Sequence, residues 1–486
     1  MARTTIRTED ITASEVTTAK MATDPTNASN LSSGSVPLAQ LGNAPATDLT
    51  GLEDDIALLG FRVASNGSLA KYNLVDQTVD DFQDTSGVNA GGSTNEIRDS
   101  SGKYYTGETT VSTGTRETHT ATPGGGTWTA PAGATAVEVL VVAGGGGGGS
   151  GNYSSGGGGA GGLVYHASKS VTPSSAYTLT VGAGGTCVSG DAGNAGANSV
   201  FSDITAVGGG GGGARNASGS GPGRDGGSGG GGGSDGGSGA IYAGGSGTQG
   251  NSGGGTGFGN DGGDGAHLAG NWEGGGGGGG AGAAGGDRVL GVAGSGGVGK
   301  AYTIADGTTS VYYAGGGGGS GNANGAGGNG GGAAGGGSGT AGTANTGGGG
   351  GAAYNTNTSG VGGSGVVILN YTASSQAPAD MTLVSTTTAA QAAPTKGDIV
   401  MTYTNGAGST TLGTDLTAEI SADGGSTWTA MTLGAEGSTG AHNIATAHDV
   451  TISSTITAPY NMAYRIKTLN QSGSKTTRIQ AVSLGW

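Results

Sequence analysis

Short apolar segments recur between residues 136 and 371, and their patterns predict β-strands. Ala136–Ala143 and Val366–Tyr371 are rich in β-branched residues and apolar on both faces, which is typical of buried central strands. Ala176–Val181 alternates apolar and polar side chains, as a half-buried strand does. Further strands are predicted over Leu163–Ser168, Ser199–Val207, Ala301–Ile304 and Val311–Ala314.

Glycine fills the spaces between these strands. Residues 144–365 contain 93 of the chain's 119 glycines, in runs such as Gly144–Gly149 and Gly274–Gly280. The runs join most strands at one end, whereas the other end has ordinary short turns. We therefore expect an up-and-down sheet with most glycine runs projecting from one end. The segment 199–207 fits this arrangement only if the chain doubles back at Asp203.

Glycine-rich chains adopt three kinds of structure. A flexible linker is the usual one, because glycine loses the most backbone entropy on folding and buries almost nothing. A collagen helix is excluded, since no Gly-X-Y triplet persists. Polyglycine II helices have three residues per turn and no internal hydrogen bonds, so they can pack side by side and bond to one another. The regular interruption by strands favours these helices, in parallel and antiparallel arrangement, over a linker.

The N-terminal region predicts an arm followed by a short helix. Residues 1–50 are rich in Thr, Ser and Ala and suit an extended arm that becomes ordered against a partner or sister chains. Thr50 and Glu53 form a capping box, so a helix is expected over 51–67. An apolar series with the 4-3-4 spacing of a coiled-coil seam follows. It consists of Leu52, Ile56, Leu59 and Val63.

Two interpretations of this seam remain open. One is an amphipathic helix that packs on a globular domain. The other is a short trimerising bundle, which we favour because the flanking sequence offers no core to pack against.

The rest of the chain divides by composition into four parts. Residues 68–126 form a connector, 127–372 a glycine-rich domain of β-strands and polyglycine II helices, and 373–379 a linker. In residues 380–486, short strands alternate regularly with turns, which predicts a β-sandwich or jelly roll. The expected fold class is therefore mostly β.

Charge, cysteine content and hydropathy limit the classes of partner and the cellular location that we expect. The formal net charge of −15 disfavours nucleic acid and anionic membranes as partners. Cys187 is the only cysteine, so no disulfide framework is expected. The sequence begins without a signal-peptide pattern, and no apolar run is long enough to span a membrane. We therefore expect synthesis in the cytoplasm and no membrane insertion.

One motif in the C-terminal part resembles the Asp-box of sialidases. In those proteins the motif is a structural hairpin, and a single copy does not make a propeller. We therefore expect a turn without catalytic meaning. The motif residues are Ser421, Asp423, Gly425, Thr427 and Trp428.

No cofactor or metal site is expected from the sequence. The five histidines are scattered without zinc-ligand spacing. Asp261 and Asp264 lie in a segment that faintly resembles a calcium-binding repeat, but the repeat works in tandem and occurs once here. With Glu273 they also form the nearest acidic cluster, although nothing in their spacing indicates a glycosidase pair.

Non-glycine insertions between the runs are the candidate binding elements. Aromatic and arginine side chains on loops of a rigid scaffold are the usual carriers of recognition. The alternative is that Tyr242 and Trp272 simply cover the glycine scaffold. The candidate receptor-binding residues are Tyr153, Arg215, Arg224, Tyr242, His267, Trp272, Arg288 and Tyr354.

Several segments together resemble the glycine-rich fibres and adhesins of tailed bacteriophages, especially marine phages. They are Trp128–Gly133, Val137–Gly146, Gly162–His166, Tyr177–Gly185 and Gly363–Tyr371, with Leu31–Leu41, Ser421–Trp428 and Tyr464–Asn470 similar to other parts of such fibres. The resemblance implies a virion fibre, usually trimeric, with stacked polyglycine II helices and receptor loops at the helix turns.

Three functions follow in order of preference. The first is a non-enzymatic tail fibre or adhesin that binds a host surface glycan or outer-membrane protein, with its N-terminal arm on other virion tail proteins. The second is a purely structural virion component, such as a head fibre or tail spacer. The third is a tailspike-type glycan hydrolase.

Overall fold

A computed structural model describes residues 50–67, 71–120, 125–214, 221–235, 239–268, 272–355, 357–452 and 456–486. The predicted arm over 1–50 lies almost entirely outside these residues. The chain forms two compact units, and each is described by itself. The first contains the described residues up to Thr109 and from Ala377 onward, and the second contains Thr110–Gln376.

The described residues are mostly β, with one α-helix and no closed barrel. The helix is α1, Thr50–Gly67. The strands up to residue 268 are β1 Lys71–Leu74, β2 Gln77–Asp80, β3 Glu96–Asp99, β4 Tyr104–Thr120, β5 Gly126–Thr129, β6 Ala136–Val142, β7 Leu163–Ser170, β8 Ala176–Thr180, β9 Ser199–Phe201, β10 Ile204–Ala206, β11 Ile241–Tyr242, β12 Thr256–Phe258 and β13 Gly265–Leu268. The later strands are β14 Trp272–Gly274, β15 Lys300–Tyr302, β16 Val311–Tyr313, β17 Val366–Pro378, β18 Met381–Val384, β19 Thr388–Ala389, β20 Lys396–Ala407, β21 Leu416–Ser421, β22 Thr429–Met431, β23 Gly434–Thr439, β24 His442–Thr451, β25 Asn461–Thr468 and β26 Thr476–Gly485.

Two sheets share one core in the first unit. One sheet contains β26, β20, β24 and β23, with β2 and the start of β4 also paired to β26. The other has the order β18-β25-β21-β22. Buried side chains of both sheets meet, for example Met401 and Ile479 with Leu383 and Tyr464. The apolar alternation of residues 380–486 thus produces two layers.

The predicted connector contributes to this first unit. Its strands β1 and β2 extend the sheet at β26, and Phe82 is fully buried in the shared core. The ring of Phe82 packs edge-on against Tyr105, with 4.9 Å between the ring centres. The sequence predicts residues 68–126 and 380–486 as separate parts of the chain. This pairing was not predictable from local pattern, because the two segments are almost 300 residues apart in the chain.

Helix α1 covers the outer face of the first sheet. Ala57 and Phe61 are buried against Val79, Val400 and Ala481. The helix was expected to lack a core to pack against, and this expectation is wrong, because β2, β20 and β26 provide one.

The predicted seam lies on another side of α1. Ile56, Leu59 and Val63 remain 49%, 59% and 47% exposed. The side chain of Leu52 lies outside the described residues.

A buried carboxyl group sits between the two sheets. Asp80 is 1% exposed, its Oδ1 accepts a hydrogen bond of 2.9 Å from the Phe82 amide, and the Tyr464 hydroxyl lies 3.5 Å from its Oδ2. Burial raises the pKa of Asp80 to about 7, although the Phe82 amide and Lys71 lower it. Burial also lowers the pKa of Lys71, whose Nζ donates to the carbonyl and hydroxyl of Thr386 at 2.9 Å each.

The second unit is built around β6 and β17, which pair antiparallel from Val366↔Val142 to Tyr371↔Val137. Both faces of this pair are buried, as the sequence predicted. One face packs on Trp128, Phe201 and Ile204 from the sheet β10-β9-β8-β5. The other packs on Ile304 and Tyr313 beside and within the hairpin β15–β16.

The predicted strands therefore occupy three sheets and not one up-and-down sheet. The doubling back at Asp203 is present, since β9 and β10 form a hairpin around Ser202 and Asp203. Glycine runs meet all three sheets at corresponding strand ends, where Gly144 follows β6, Gly182 lies two residues after β8 and Gly315 lies two residues after β16. The expected projection from one end of a single sheet therefore does not apply, and the runs that leave these strands are joined by hydrogen bonds to one another.

The glycine runs bond to one another sideways. Along residues 144–150, successive backbone amides donate to three different neighbouring segments in rotation, and every third residue returns to the same neighbour. A chain with three residues per turn produces this rotation. The donor–acceptor pairs are 144–197, 147–194 and 150–191 on the first neighbour, 145–363 and 148–360 on the second, and 146–159 and 149–156 on the third.

Neighbouring segments run in both directions. Along residues 156–162 the acceptors on segment 207–213 descend in number, which is antiparallel, whereas those at 276 and 279 ascend, which is parallel. We call the described glycine-rich segments between residues 144 and 365 that are joined in this way the glycine lattice.

The lattice leaves no room for side chains at its inner positions. A Cβ on Gly277 would lie 2.0 Å from the carbonyl oxygen of Ser295, and one on Gly146 would lie 2.1 Å from that of Gly210. Both distances are far inside van der Waals contact. Glycine is needed here because backbones approach closely, and not because of an unusual φ angle.

Gly277→Ala should therefore destabilise the second unit by about 1–3 kcal/mol or more, the usual cost of overpacking. The matched control is Gly250→Ala, since a Cβ there meets nothing within 4 Å. That change should be neutral or stabilise by about 0.4–1 kcal/mol, because alanine restricts the unfolded chain. Thermal unfolding of both variants checks this, and equal melting temperatures would contradict a close-packed lattice.

Asp80 should make the first unit less stable as pH rises from about 4 to about 7. In that window the unfolded chain has lost the proton, since its pKa is about 3.9, while the folded chain keeps it. Stability then falls by about 1.4 kcal/mol per pH unit. Asp80→Asn should remove this fall, which urea unfolding across the window would measure.

The control for this experiment is Asp84→Asn. The Ser86 amide and hydroxyl lower the pKa of Asp84, so this change should keep the fall. If the free energy of unfolding falls equally with pH in Asp80→Asn and in the parent chain, a group other than Asp80 causes the fall.

Candidate functional site

The lattice brings the non-glycine insertions together at the end opposite the strands. The run that leaves β6 ends at Ser150, whose amide donates to the backbone carbonyl of Asp191 at 2.9 Å. The run that enters β7 begins after Ser155, whose amide donates to the hydroxyl of Ser320 at 2.9 Å. We call this end the lattice tip. Its described residues are 150–155, 187–192, 234–235, 239–243, 265–268, 272–274, 287–293, 320–324, 352–355 and 357–359.

Small buried hydroxyls hold the tip segments together. Ser150, Ser155 and Ser320 are fully buried. The Ser150 hydroxyl donates to the carbonyl of Asn357 at 2.6 Å, and the Ser320 hydroxyl donates to that of Ala353 at 2.9 Å. Serine fits where the lattice ends because its side chain is short and can bond backbone groups that have no glycine neighbour. The loops of the tip thus start from fixed positions.

Two of the predicted candidates, Tyr153 and Tyr354, lie half-buried at the tip. Burial raises the pKa of Tyr354, and the negative charge of Glu273 and the neighbouring Tyr153 raise it further. The electrostatic influence of Glu273 and Tyr153 shows that these three side chains share one neighbourhood. Two phenol rings and one carboxylate can offer both apolar contact and hydrogen bonds to a partner.

A small sheet, β11-β13-β14, carries three more candidates. Tyr242 is half-buried, and its ring occupies the space beside Gly221, where a Cβ would lie 2.1 Å from the ring. His267 is 8% exposed and stands opposite Glu273 in the strand register. Trp272 begins β14, and its side chain lies outside the described residues.

The pair His267 and Glu273 has unused polar atoms. His267 Nε2 and Glu273 Oε2 are buried and have no hydrogen-bond partner among the described residues. Directly opposite residues in an antiparallel pair point to the same face. Imidazole and carboxylate are therefore on one face of the small sheet.

A tight hairpin after Arg288 exposes aliphatic side chains. Val289 and Val292 exchange both backbone hydrogen bonds, at 3.0 and 2.9 Å, and Gly291 has φ +76°. Val289 is 63% and Leu290 65% exposed. We call residues 289–292 the apolar hairpin. Clustered exposed apolar groups on a soluble protein usually mark a contact surface.

Other aliphatic side chains are exposed at the tip. Ile241 is 68% and Val188 39% exposed. These residues were not among the candidates predicted from the sequence, which were mainly aromatic and arginine side chains. They could have been predicted from one signal, which is the presence of Val, Leu and Ile in short insertions of a polar, glycine-rich region.

The arginine candidates are placed differently. Arg288 is half-buried and packs on Gly274, with its Cβ 3.2 Å from where a Cβ of Gly274 would be. Arg224 is exposed on the side of the lattice, where its Nη1 lies 3.5 Å from Asn194 Oδ1. The tip therefore does not include Arg224. Arg215 lies outside the described residues.

The acidic residues near the tip serve the lattice. Asp261 Oδ1 accepts the Gly247 amide at 2.7 Å, and Asp264 Oδ1 accepts the Gly244 amide at 3.0 Å. Their carboxylates thus satisfy amides at the lattice edge. Among the described residues, no group of three or more His, Cys, Asp or Glu side chains could hold a metal ion.

The Asp-box residues form a hydrogen-bonded turn after β21 in the first unit. Asp423 Oδ1 accepts the Thr427 amide at 2.9 Å, and the Ser421 hydroxyl accepts the Gly425 amide at 2.8 Å. Burial raises the pKa of Asp423, but hydrogen bonds from Thr427 and Ser421 outweigh it and lower the pKa to about 2. The guanidinium of Arg465 lies over the ring of Trp428, 4.4 Å from its centre.

The comparison with protein families agrees with this architecture. A family model described as a glycine-rich domain matches residues 120–372, which is more than half of the chain. The chain belongs to the glycine-rich domain family. The matched residues of this glycine-rich domain include β6, the glycine lattice and most of β17. The comparison with curated proteins gives no match.

No helix of the described residues is long and apolar enough to cross a membrane.

Proposed function

We propose that the protein is a bacteriophage virion fibre, a tail fibre or adhesin, that binds a host cell-surface receptor during adsorption without catalysis. In this proposal the glycine lattice is a polyglycine II bundle, and its tip carries the receptor loops. The receptor is a surface glycan or an outer-membrane protein.

The observation that carries the proposal is the exposed tip of a close-packed lattice. Rigid loops lose little conformational entropy on binding, so their contacts turn efficiently into affinity. The tip offers Tyr153, Tyr242 and Tyr354 together with Ile241 and the apolar hairpin. Burying one Leu or Val side chain contributes about 1.5–3 kcal/mol. Such a surface favours an apolar patch on a receptor protein over a purely polar glycan.

Two other functions remain alternatives. A structural component, such as a head fibre or tail spacer, would need the lattice but not an apolar tip. A tailspike-type hydrolase would need two carboxylates facing a substrate across a groove. Asp261 and Asp264 give little support to hydrolysis, because each uses an oxygen to cap a lattice amide.

Adsorption competition tests the adhesin proposal. The purified chain should block attachment of the phage that carries it. Leu290→Asp and Ile241→Asp should each weaken the block by about 10-fold or more, as expected for loss of a buried aliphatic contact. Both side chains are exposed, so the fold should persist.

The control for this competition is Val361→Asp. Val361 is 41% exposed and lies outside the lattice tip, so the block should be unchanged. If the parent chain does not block attachment of the phage, the result favours a structural component of the virion instead.

We also propose that the chain forms a homotrimer through α1, with the arm over 1–50 on other virion tail proteins. In the heptad that places Ile56 and Leu59 at core positions, Ala57 and Phe61 fall on the outer side of a bundle. That outer side packs on the chain's own sheet. The exposed seam can therefore contact neighbouring chains. The packing of each helix on its own sheet stabilises it, which so short a helix needs.

Light scattering tests the trimer. The parent chain should have three times the mass of one chain, and Leu59→Glu should shift it toward the monomer, because three buried carboxylates would repel one another. Ile97→Glu, at a 40% exposed aliphatic residue of β3, should remain trimeric. A monomeric parent chain at high concentration would overturn this proposal.

A further inference from the structure

Three charged side chains lie on the outer face of the sheet β18-β25-β21-β22 in the first unit. On β25, Ile466 is buried in the core between the two sheets, so its neighbours Arg465 and Lys467 point to the opposite face. Glu419 of β21 lies directly opposite Arg465 in the strand register and is on that face too. The side chains of Arg465, Lys467 and Glu419 are 23%, 32% and 19% exposed, so solvent reaches all three.

One carboxylate pairs with both cations of this cluster. Glu419 Oε2 accepts a hydrogen bond from Arg465 Nε and lies 3.0 Å from Lys467 Nζ. The three side chains together therefore carry one excess positive charge. This excess is opposite in sign to the formal net charge of the chain, which is −15. The cluster attracts a negatively charged group to one place on a chain that otherwise repels it.

The Asp-box turn places an aromatic ring against Arg465. The guanidinium of Arg465 lies over the ring of Trp428, 4.4 Å from its centre. Trp428 directly precedes β22, and the turn before it is closed by hydrogen bonds to Ser421 and Asp423. Both carboxylate oxygens of Asp423 accept from Thr427, one from its amide and one from its hydroxyl, so this carboxylate faces the turn. The turn thus has a positioning role, because it fixes the ring that supports Arg465.

Two donor groups of Arg465 remain available. Its Nε is bonded to Glu419, whereas Nη1 and Nη2 donate no hydrogen bond to any residue that the structure describes. Neither of these two nitrogens is a buried atom without a partner, so solvent reaches both. A guanidinium held by a ring and a carboxylate loses little conformational freedom when it binds a further group. Its two terminal nitrogens match the two oxygens of a carboxylate.

The surrounding strands indicate what kind of molecule carries that carboxylate. Thr382 of β18 and Thr417 of β21 flank Lys467 in the register and offer hydroxyl groups on the same face. An acidic peptide usually binds by adding a strand to a free sheet edge or by filling apolar pockets. β25 has no free edge, because β18 and β21 pair with it on both sides. A sugar, whose own hydroxyls can bond to threonine hydroxyls, suits this face better.

We propose that this outer face binds an acidic sugar unit, with Nη1 and Nη2 of Arg465 donating to the two oxygens of its carboxylate. Lys467 adds a second positive charge, and the ring hydroxyls of the sugar lie toward Thr382 and Thr417. The site is separate from the lattice tip and does not depend on the receptor function proposed above.

Calorimetry and saturation-transfer NMR of the full chain with galacturonate test this proposal. Galactose serves as the neutral sugar, and N-acetylglutamate serves as a carboxylate without a sugar ring. Galacturonate should bind saturably and more tightly than either, because only galacturonate has both the carboxylate and the ring hydroxyls.

Variants test the named residues. Arg465→Lys keeps the charge but loses the paired nitrogens, so it should weaken galacturonate binding by roughly 10-fold or more, as for a lost hydrogen bond to a charged group. Lys467→Gln should weaken binding by roughly 2–5-fold, as for a lost exposed ion pair, and should reduce its dependence on salt. The control Lys396→Gln removes an exposed positive charge from β20 in the other sheet and should bind like the parent chain.

Circular dichroism and the melting temperature of each variant separate loss of binding from loss of fold. If Arg465→Lys unfolds, Lys467→Gln decides. The proposal is overturned if galacturonate does not saturate, or if the folded variants of Arg465 and Lys467 bind it as tightly as the parent chain. Equally tight binding of galactose or of N-acetylglutamate also overturns it, since the face would then not recognise an acidic sugar. None of these results bears on Leu290→Asp at the tip.

Discussion

The second unit depends on the hydrogen bond between backbones of neighbouring glycine segments. Each inner amide meets a carbonyl of another segment at about the length of a β-sheet bond, and the rotation by thirds gives every segment several neighbours. Such contact is possible only without Cβ atoms. The order of the lattice and the hydrogen bonds that fix where its loops begin both follow from this one contact.

Local pattern was enough to predict most strands of the second unit. The apolar composition of segments such as Ala136–Ala143 indicates that they are buried, and a glycine run marks one end of most strands. The assignment of these strands to three sheets was not predictable, because which strand faces which depends on contacts far apart in sequence. For the same reason, the sequence did not predict that Phe82 packs in one core with residues of β25, or that α1 packs on a sheet.

The candidate surface was predictable in part. Tyr153 and Tyr354 stood out as aromatic residues among glycines, and the structure places both at the tip. Arg224 was predicted on the same grounds, but it lies on the side of the lattice. Whether a residue lies at the tip or on the side depends on which segments its own segment bonds to, and the sequence does not reveal these neighbours. The apolar hairpin was missed because Val and Leu are normally core residues, and only the structure shows that nothing in the described residues covers them.

The glycine lattice also has a thermal consequence. Unfolding normally raises the heat capacity by about 12–15 cal/mol/K per residue, because newly exposed apolar surface raises it more than polar surface lowers it. Lattice segments bury peptide groups and almost no apolar side chains, so their unfolding adds little or nothing to that increment. A unit that contains many such segments has a flatter stability curve, and it loses less stability in the cold than a protein held together by apolar cores alone.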